Sequence, residues 1–277
     1  MRWERIGADR GFRSVVGLAT LDGGGSVVVK IADGEGAANE ALFYEQIDGA
    51  PAPRPYHVAS DGDLVVLVLE DLSSGRHGDA LLGCSLNDAA LVLERMAAFD
   101  VPGEGFPRWG DRLARRQERY DAAVDVFLER HGDRFPAEIR TLAGALRGRL
   151  AQVVRQLAAG ARLIHGDLHL DNVIFDGDRP VIIDWQTACV GHPTLDFVTF
   201  VYSSLTIDDR RAIEADLKPE LLPQALINAF AGHVLWFARP DLDELEGRER
   251  AFVDQALSDG RLVSGLLDHG TLALAAV

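Results

Sequence analysis

The segment 163–186, LIHGDLHLDNVIFDGDRPVIIDWQ, holds five aspartates, two histidines and one asparagine beside two short apolar runs. Asp167 lies five residues before Asn172. This is the spacing of the catalytic aspartate and the metal-binding asparagine in phosphoryl-transfer loops of the form H-R-D-x-x-x-x-N, with Gly166 in place of the arginine. Phosphoryl transfer needs a carboxylate that orients the accepting hydroxyl and a metal ion that neutralises phosphate charge. The spacing predicts that this one segment supplies both.

Asn172 and Asp184 stand at the outer ends of the apolar runs NVIF and VIID, which the turn sequence DGDRP joins. Its Asp-Gly pair favours a hairpin turn, so the two runs are expected to pair as antiparallel strands. A hairpin centred near Asp178 places Asn172 directly opposite Asp184, and a bulge would shift this pairing by one position. Carboxylate and amide oxygens suit Mg²⁺, so the pair is predicted to bind that metal. Asp176 and Asp178 belong to the turn, and Asp171 has no assigned role.

The elements that must position these groups fall into two regions. The first 70 residues are mainly β, with strand-like runs on either side of the DGGG turn at 22–25, a helix expected over 37–47, and a buried strand over 64–70. A Pro-rich loop is expected between that helix and the buried strand. From about residue 86 the pattern is helical, over 86–99, 112–131, 137–159, 193–204, 224–238 and 248–267. The change of composition near 70–73 predicts a lobe boundary between 1–70 and 71–277.

Lys30 ends an apolar strand and is one of only two lysines in the chain. Ten residues later Glu40 begins an apolar helical stripe, which places it on the inward face. A lone buried carboxylate is unfavourable, so an ion pair between Lys30 and Glu40 is predicted. The alternative is that Glu40 only interacts with the dipole of a helix N-terminus. The stripe continues with Phe43, Tyr44 and Ile47.

Composition limits the classes of partner and compartment. The 277-residue chain has a formal net charge of −15, which argues against nucleic acid as a partner and permits, without requiring, a cationic substrate. No secretory signal or membrane-spanning segment is visible, so no membrane partner is expected. With Cys84 and Cys189 as the only cysteines, a disulfide framework is not expected, and both thiols are predicted to be reduced in a cytoplasmic protein.

The run HGDLHLDN, followed by VIIDWQTACVGHPTLDF, resembles the signature of the aminoglycoside phosphotransferase and choline kinase superfamily. The DWQ variant is similar to its ecdysteroid-kinase-like branch. The resemblance implies an α+β, protein-kinase-like bilobal fold, with a small β-rich N-lobe and a larger, mainly helical C-lobe. It also implies transfer of the γ-phosphate of ATP to a hydroxyl of a small molecule, such as an aminoglycoside, choline, a sugar or another alcohol.

The resemblance assigns roles to particular residues. Asp167 becomes the catalytic base, and Asn172 and Asp184 become the ligands of Mg²⁺. Lys30, positioned by Glu40, is expected to hold the phosphates of ATP. No catalytic position of the family is missing from this sequence.

The N-terminal third adds two expected nucleotide contacts. The segment 7–14, GADRGFRS, is expected to cover the phosphates, with Ser14 and its neighbouring amides as contacts. As a glycine motif it is weak on its own. The segment 66–73, VLVLEDLS, resembles the strand-to-hinge segment of the family. The resemblance implies that Glu70 to Leu72 contact adenine through their main-chain groups.

Two other interpretations stay open at this point. A non-catalytic ATP-binding regulatory protein could use the same fold. A metal-dependent hydrolase could use His165, His169 and Asp167, although Gly166 disfavours a helix there and no third cluster is apparent. His165 is otherwise expected to support the loop and Asp196 to be structural. The oligomeric state is not predicted.

Overall fold

The N-terminal region of this computed structural model is built on one antiparallel sheet. The structure describes residues 2–5, 14–79, 83–101, 103–206, 208–210, 212–213 and 221–238. The sheet has the order β1-β2-β3-β5-β4. Its strands are β1 (Arg2–Arg5), β2 (Ser14–Thr20), β3 (Ser26–Asp33), β4 (Pro55–Asp61) and β5 (Leu64–Glu70). Helix α1 (Glu35–Gln46) connects β3 to β4 and contacts β3, β4 and β5.

Strand β3 runs through the middle of this sheet, between β2 and β5. Buried and exposed residues alternate along its second half, and Lys30, which is buried, pairs with Val16 on one side and Leu67 on the other. A central strand held on both sides is a rigid support for a charged side chain.

The region expected to be a Pro-rich loop contains a strand, β4, so this prediction was wrong in part. Strand β4 is an edge strand, and Pro55 is its first residue, a place where the missing N–H removes no essential ladder bond. Its mostly exposed residues lack the clear apolar alternation by which a strand is recognised in a sequence. Strand β1 was not predicted from the sequence either.

The C-terminal region is mainly helical and also holds two small sheets. The helices are α2 (Leu86–Ala98), α3 (Leu113–His131), α4 (Ala137–Ala145), α5 (Leu150–Val153), α6 (Thr194–Ser204) and α7 (Leu222–Phe237). The first small sheet pairs β7 (Arg162–Ile164) with β10 (Cys189–Gly191). The second contains β6 (Arg76–His77), β8 (Val173–Asp176) and β9 (Arg179–Ile182), with β8 in the centre.

One long helix was expected over 137–159, but the chain forms two short α-helices and a 3-10 turn there. The left-handed conformation of Gly148, at φ 67°, interrupts the helix at that point. The helix expected over 248–267 lies outside the described residues. The fold class is confirmed as α+β, with a β-rich N-terminal region and a mainly helical C-terminal region, whereas the boundary at residue 70 stays a prediction.

The predicted hairpin forms, but its register is one position away from the centred pairing. Asp176 pairs with Arg179 across a two-residue turn, and Val173 pairs with Ile182. The next hydrogen bond joins the Ile183 amide to the Asn172 carbonyl at 2.9 Å. Asn172 therefore lies opposite Ile183 rather than Asp184. The turn is shorter than the five residues assumed from DGDRP. The hairpin is therefore centred between residues 177 and 178 rather than on Asp178, which shifts each pairing by one position.

Candidate active site

Lys30 is held between two carboxylates that come from different parts of the chain. Its Nζ lies 2.7 Å from Glu40 Oε2 and 2.7 Å from Asp184 Oδ1. Glu40 is 1% exposed and Lys30 is 8% exposed, so this ion pair is buried. The inward face of α1 carries Glu40, as its apolar stripe predicts. The expected ion pair between Lys30 and Glu40 is present, and Asp184 joins it.

The pKa values in this cluster follow from burial and from the neighbouring charges. Burial opposes the positive charge of Lys30, but the charges of Glu40 and Asp184 outweigh it and raise the pKa of the ammonium. Burial also raises the pKa of Glu40, and the nearby Lys30 offsets this only in part. A lysine in this setting stays protonated, which suits a group that binds phosphate oxygens.

The loop that carries Asp167 is fixed by Asp196, in the first turn of α6. The two carboxylate oxygens of Asp196 accept hydrogen bonds from the amides of His165 at 2.7 Å and Gly166 at 2.8 Å. Burial raises the pKa of Asp196, while these bonds favour its charged form. Asp196 therefore acts on the loop through its main chain, in keeping with the structural role expected for it.

The backbone conformation at position 166 requires glycine. Its φ is +82°, in the left-handed region that other residues rarely adopt. A Cβ atom there would lie 2.6 Å from the carbonyl oxygen of Thr187. The motif arginine is thus replaced by glycine at a place where the loop turns tightly against the segment that follows Asp184.

His165 uses both ring nitrogens inside the protein. Its Nε2 lies 2.9 Å from the Ile183 carbonyl, and its Nδ1 accepts from the Asp167 amide at 3.3 Å. These contacts assign the proton to Nε2. The ring also packs edge-on against Trp185. His165 thus connects the Asp167 loop to the hairpin strand, and it has no lone pair to offer a metal ion without losing one of these bonds.

Asp167 presents its carboxylate to solvent, with a side chain that is 56% exposed. Its carbonyl accepts a hydrogen bond from Asn172 Nδ2 at 3.0 Å, which fixes the distance between the two motif residues. Desolvation opposes its charge, but the nearby His169, whose Nε2 lies 3.7 Å from Asp167 Oδ2, together with His165 and Arg116, holds the pKa of Asp167 below its usual value. The carboxylate is ionised at neutral pH and ready to accept a hydrogen bond.

Asn172 and Asp184 offer oxygen atoms that fit Mg²⁺. The amide nitrogen of Asn172 contacts the Asp167 carbonyl and His169 Nε2, which leaves its side-chain oxygen for a metal ion. Asp184 is a rare non-glycine residue in the left-handed region, at φ 64° and ψ 58°, and its side chain is 43% exposed. Such conformations concentrate at functional sites. Mg²⁺ needs only one or two protein oxygens when phosphates supply others, so this donor set fits.

A cleft of about 300 Å³ brings most of the predicted site residues together. It is lined by Ser14, Lys30, Glu40, Glu70, Leu72, Asn172 and Asp184, together with apolar residues of the sheet and of the hairpin. Asp167 is not among its lining residues but is bonded through its carbonyl to Asn172. Residues 7–13 of the segment expected to cover the phosphates lie outside the described residues.

The segment expected to contact adenine borders this cleft. The Glu70 amide donates to the Arg54 carbonyl at 2.9 Å, and the Leu72 carbonyl accepts from the Gly75 amide at 2.9 Å. The Leu72 side chain packs with Ile174 in a small apolar cluster. Since those main-chain groups are already bonded, the Leu72 amide is the group best placed to contact a base.

The contacts that join α1 to the segment after Asp184 are not evident from the sequence. Asn39 Nδ2 donates to the carbonyls of Gln186 at 3.0 Å and Ala188 at 2.7 Å. The ring of Phe43 stacks on Trp185 at 4.0 Å between centroids. The helix that carries Glu40 is thereby fixed to the loop that carries Asp184. The apolar stripe includes Phe43, but no sequence signal identifies Asn39.

Within the described ranges, no group of three His, Cys, Asp or Glu side chains could hold a metal ion by itself. No described helix is long and apolar enough to cross a membrane. The two cysteines are free thiols, and burial raises the pKa of Cys84 to about 11 and that of Cys189 to about 12.

Comparison with solved structures shows the same fold in several kinases. A choline/ethanolamine kinase family protein from Mesorhizobium loti has a TM-score of 0.58 and 19% identity, covering 95% of this chain and 88% of its own. Choline kinase from Cryptosporidium parvum Iowa II has a TM-score of 0.61 and 12% identity, covering 99% and 92%. An aminoglycoside phosphotransferase in a ternary complex with AMP-PNP and hygromycin B has a TM-score of 0.57 and 13% identity, covering 95% and 93%.

No curated protein matches the sequence significantly. The model of the phosphotransferase enzyme family matches residues 3–245, which include every residue of the cleft and of the Asp167 loop. Membership of the ecdysteroid-kinase-like branch stays a prediction. The chain therefore belongs to the phosphotransferase enzyme family, with the α+β fold of choline kinases and aminoglycoside phosphotransferases.

Proposed function

We propose that the protein transfers the γ-phosphate of ATP to a hydroxyl of a small molecule. The observation that carries this proposal is the convergence of Lys30, Glu40 and Asp184 in one cleft, with Asp167 joined to its edge through Asn172. Each of these groups has a part in phosphoryl transfer, and their chain order is that of kinase-like enzymes. Relatives of the same fold bind AMP-PNP, which supports ATP as the donor.

The nucleotide occupies the 300 Å³ cleft in this proposal. Lys30 binds phosphate oxygens, and Ser14 approaches them from the start of β2. The adenine lies against Leu72, whose amide donates a hydrogen bond to the base, while the main-chain contact expected from Glu70 falls to its carbonyl, because its amide already donates to the Arg54 carbonyl. The Glu70 side chain accepts a hydrogen bond from the Arg54 amide and is therefore occupied within the protein.

Asp167 orients the acceptor hydroxyl and receives its proton as the new bond forms. The acceptor oxygen bonds to the γ-phosphorus, the bond from that phosphorus to the β,γ-bridging oxygen breaks, and ADP leaves with the electron pair of that bond. A carboxylate whose pKa lies below its usual value is a weak base, so its main contribution is orientation until the acceptor oxygen gains acidity in the transition state.

Asn172 and Asp184 would hold Mg²⁺ in this cleft. When bound, the ion would supply positive charge that neutralises the phosphates. The Lys30 ammonium keeps Asp184 in place through their 2.7 Å contact, so the same cation serves the phosphates and the metal ligand.

The other two interpretations receive less support. A non-catalytic ATP-binding protein would tolerate loss of Asp167, yet this residue and its supports are present. For a metal-dependent hydrolase, His165 would have to give up its bonds to Ile183 and Asp167, and Asp167 and His169 are too few ligands alone. No specific observation favours either alternative.

A cytoplasmic location, and an acceptor that is a small molecule rather than nucleic acid or a membrane, remain part of this proposal. Aminoglycosides, choline, sugars and other alcohols are all candidate acceptors. Relatives whose descriptions name choline kinase or a complex with hygromycin B support a small hydroxyl compound in general.

The test is Mg²⁺-dependent transfer of ³²P from labelled ATP to a panel of hydroxyl compounds. Asp167→Asn should keep nucleotide binding and lower transfer by about 10³-fold or more, because it loses the orienting carboxylate. Asp178→Asn removes a carboxylate from the exposed hairpin turn and should transfer like the parent. Transfer by Asp167→Asn at the parental rate would contradict the assignment.

A further inference from the structure

Arg116 on α3 is a cation with incomplete hydrogen bonding at the contact between α3 and α7. Its Nη2 donates to the Asn228 carbonyl at 3.0 Å, while its Nε is buried without a partner among the described residues. The side-chain oxygen of Asn228 is also buried and unpartnered. Buried donors and acceptors without partners are unfavourable. The presence of two such atoms here indicates that a further group supplies the missing hydrogen bonds.

The charges around Arg116 point to an anion. Burial, followed by the like charge of Arg119 one turn along α3, lowers the pKa of Arg116 to about 10, and the charge of Asp167 acts in the opposite direction. Within the described ranges, neither arginine takes part in an ion pair. Apart from the nearby charge of Asp167, the repulsion between these two guanidinium groups is unbalanced, and an anion that binds to them would reduce it.

The same face of α3 lies against the Asp167 loop. Arg112, one turn before Arg116, donates from Nη1 to the Thr187 carbonyl at 3.2 Å. The Thr187 hydroxyl in turn donates to the His165 carbonyl at 2.8 Å. Arg116 is near enough to Asp167 for each to shift the pKa of the other. A molecule whose hydroxyl lies at Asp167 can therefore extend towards Arg116.

Helix α7 leaves space for the guanidinium. Gly232 lies one turn after Asn228, and a Cβ there would have only Arg116 Nη2 within 4 Å, at 3.9 Å. A residue with a side chain at this position would compete with a ligand for that space. Because Gly232 has no side chain, the space beside Arg116 stays open on the α7 side.

We infer that the acceptor carries an anionic group, a carboxylate or a phosphate ester, which binds Arg116 while its hydroxyl lies at Asp167. This inference rests on the proposed phosphotransferase function. A planar guanidinium binds such oxyanions through directed, charge-assisted hydrogen bonds. The inference contrasts with the cationic acceptor that the net charge of −15 permits, because local charge, rather than total charge, decides what binds at a site.

Matched pairs of hydroxyl compounds that differ in one charged group test this inference. The full-length protein is assayed with Mg·ATP against glycerate, glycerol 3-phosphate and glycerol, against homoserine and 3-aminopropan-1-ol, and against choline. Phosphorylated products are identified by ³¹P NMR. Binding of the same compounds is measured by calorimetry in the presence of Mg·AMP-PNP. The glycerate and glycerol 3-phosphate arms distinguish a carboxylate from a phosphate ester.

The parent should prefer the anionic members of these pairs. Arg116→Gln should raise KM for the preferred anionic acceptor by about 30-fold with a smaller effect on kcat, because it removes a charge-assisted contact to a part of the acceptor that does not react. Arg116→Lys keeps the positive charge but lacks the planar guanidinium. Its KM for the same acceptor should lie between the values of the parent and of Arg116→Gln. Arg115→Gln is the matched control, since Arg115 is the adjacent residue of α3 and its side chain is 75% exposed.

The outcomes separate this inference from the proposed function. If choline or a neutral alcohol is the best acceptor and Arg116→Gln does not change its transfer, the inference is overturned. The proposed phosphotransferase function is then still supported. The inference is also overturned if AMP-PNP binds but no anionic compound does. If neither nucleotide binding nor transfer is found, the proposed function fails and the inference with it. Should Arg116→Gln not fold, as judged by its melting with AMP-PNP, Arg116→Lys gives the same comparison.

Discussion

Lys30 and Asp184 meet at 2.7 Å although 154 residues separate them in the chain. Lys30 belongs to the central strand of the N-terminal sheet, and Asp184 follows the hairpin strand β9. Both residues line the 300 Å³ cleft, and their contact places the proposed phosphate-binding cation beside the proposed metal ligand. Because Glu40 binds the same ammonium, movement of α1 would disturb both groups.

Lys30→Met should weaken nucleotide binding and destabilise the fold. The variant leaves the Glu40 carboxylate buried without its cation, and breaking a buried pair by removing one partner costs about 3–5 kcal/mol. It also removes the phosphate contact, so the Kd for AMP-PNP should rise by about 10-fold or more. Calorimetry with AMP-PNP and urea unfolding measure the two effects.

Glu40→Gln provides the comparison for that prediction. It keeps Lys30 beside Asp184, so its loss of nucleotide affinity should be smaller than that of Lys30→Met. Parental affinity in Lys30→Met would contradict the role of Lys30. If that variant does not fold, a parental Kd in Glu40→Gln would count against the positioning role of Glu40.

Gly166→Ala should damage catalysis through the Asp167 loop. Its Cβ would meet the Thr187 carbonyl at 2.6 Å, and alanine at φ +82° is strained by about 1–3 kcal/mol. We expect kcat to fall by about 100-fold or more, because small displacements of a catalytic group have effects of this size. Gly177→Ala is the control, since Gly177 has φ +62° in the hairpin turn but nothing within 4 Å of its Cβ position. Equal losses in both variants would show that strain alone, rather than the contact with Thr187, is responsible.

The sequence was sufficient for the groups that a motif or a periodic pattern identifies. The spacing from Asp167 to Asn172 and the inward position of Glu40 depend on a few neighbouring residues, and the structure brings these groups into one neighbourhood. Lys30 was identifiable because a lysine at the end of an apolar strand is rare in this arginine-rich chain. These are local properties that a single sequence expresses directly.

The contacts that join distant segments were not predictable in the same way. The hairpin register depended on the length of a turn, and a difference of one position placed Asn172 opposite Ile183. The Asn39 contacts to residues almost 150 positions away depend on tertiary packing, which leaves no periodic trace. The same holds for Arg116, since one arginine among the 26 of this chain has no sequence feature that marks it.

His169 should make stability depend on pH. Burial opposes its charge, but the nearby carboxylates of Asp167, at 3.7 Å, and of Asp171 and Asp184 raise the pKa of His169 above 6.5. A raised pKa of a cationic group in the folded state stabilises the protein fully below the unfolded value of about 6.5. This stabilisation is lost as the pH rises through the higher folded value.

Urea unfolding of the parent and of His169→Gln between pH 5.5 and 9 measures this effect. The difference in free energy of unfolding should be largest near pH 5.5 and should decrease as the pH rises. His57→Gln, on the exposed edge strand β4, is the control for replacing a histidine by glutamine elsewhere in the chain. A His169→Gln difference that grows with pH would show that the folded protein favours the neutral imidazole.

Asn39→Ala should uncouple α1 from the segment after Asp184. Asn39 makes hydrogen bonds of 3.0 Å and 2.7 Å to the carbonyls of Gln186 and Ala188, so the alanine leaves buried acceptors unpaired at about 1–3 kcal/mol. Since these bonds fix the helix that carries the Lys30 partner, the Kd for AMP-PNP should rise by about 3- to 10-fold, measured by calorimetry on the folded variant. Glu45→Ala, at an exposed position of the same helix, should change neither quantity. Loss of stability without loss of affinity would mean that Asn39 supports only the fold, and that the position of α1 does not depend on the segment after Asp184.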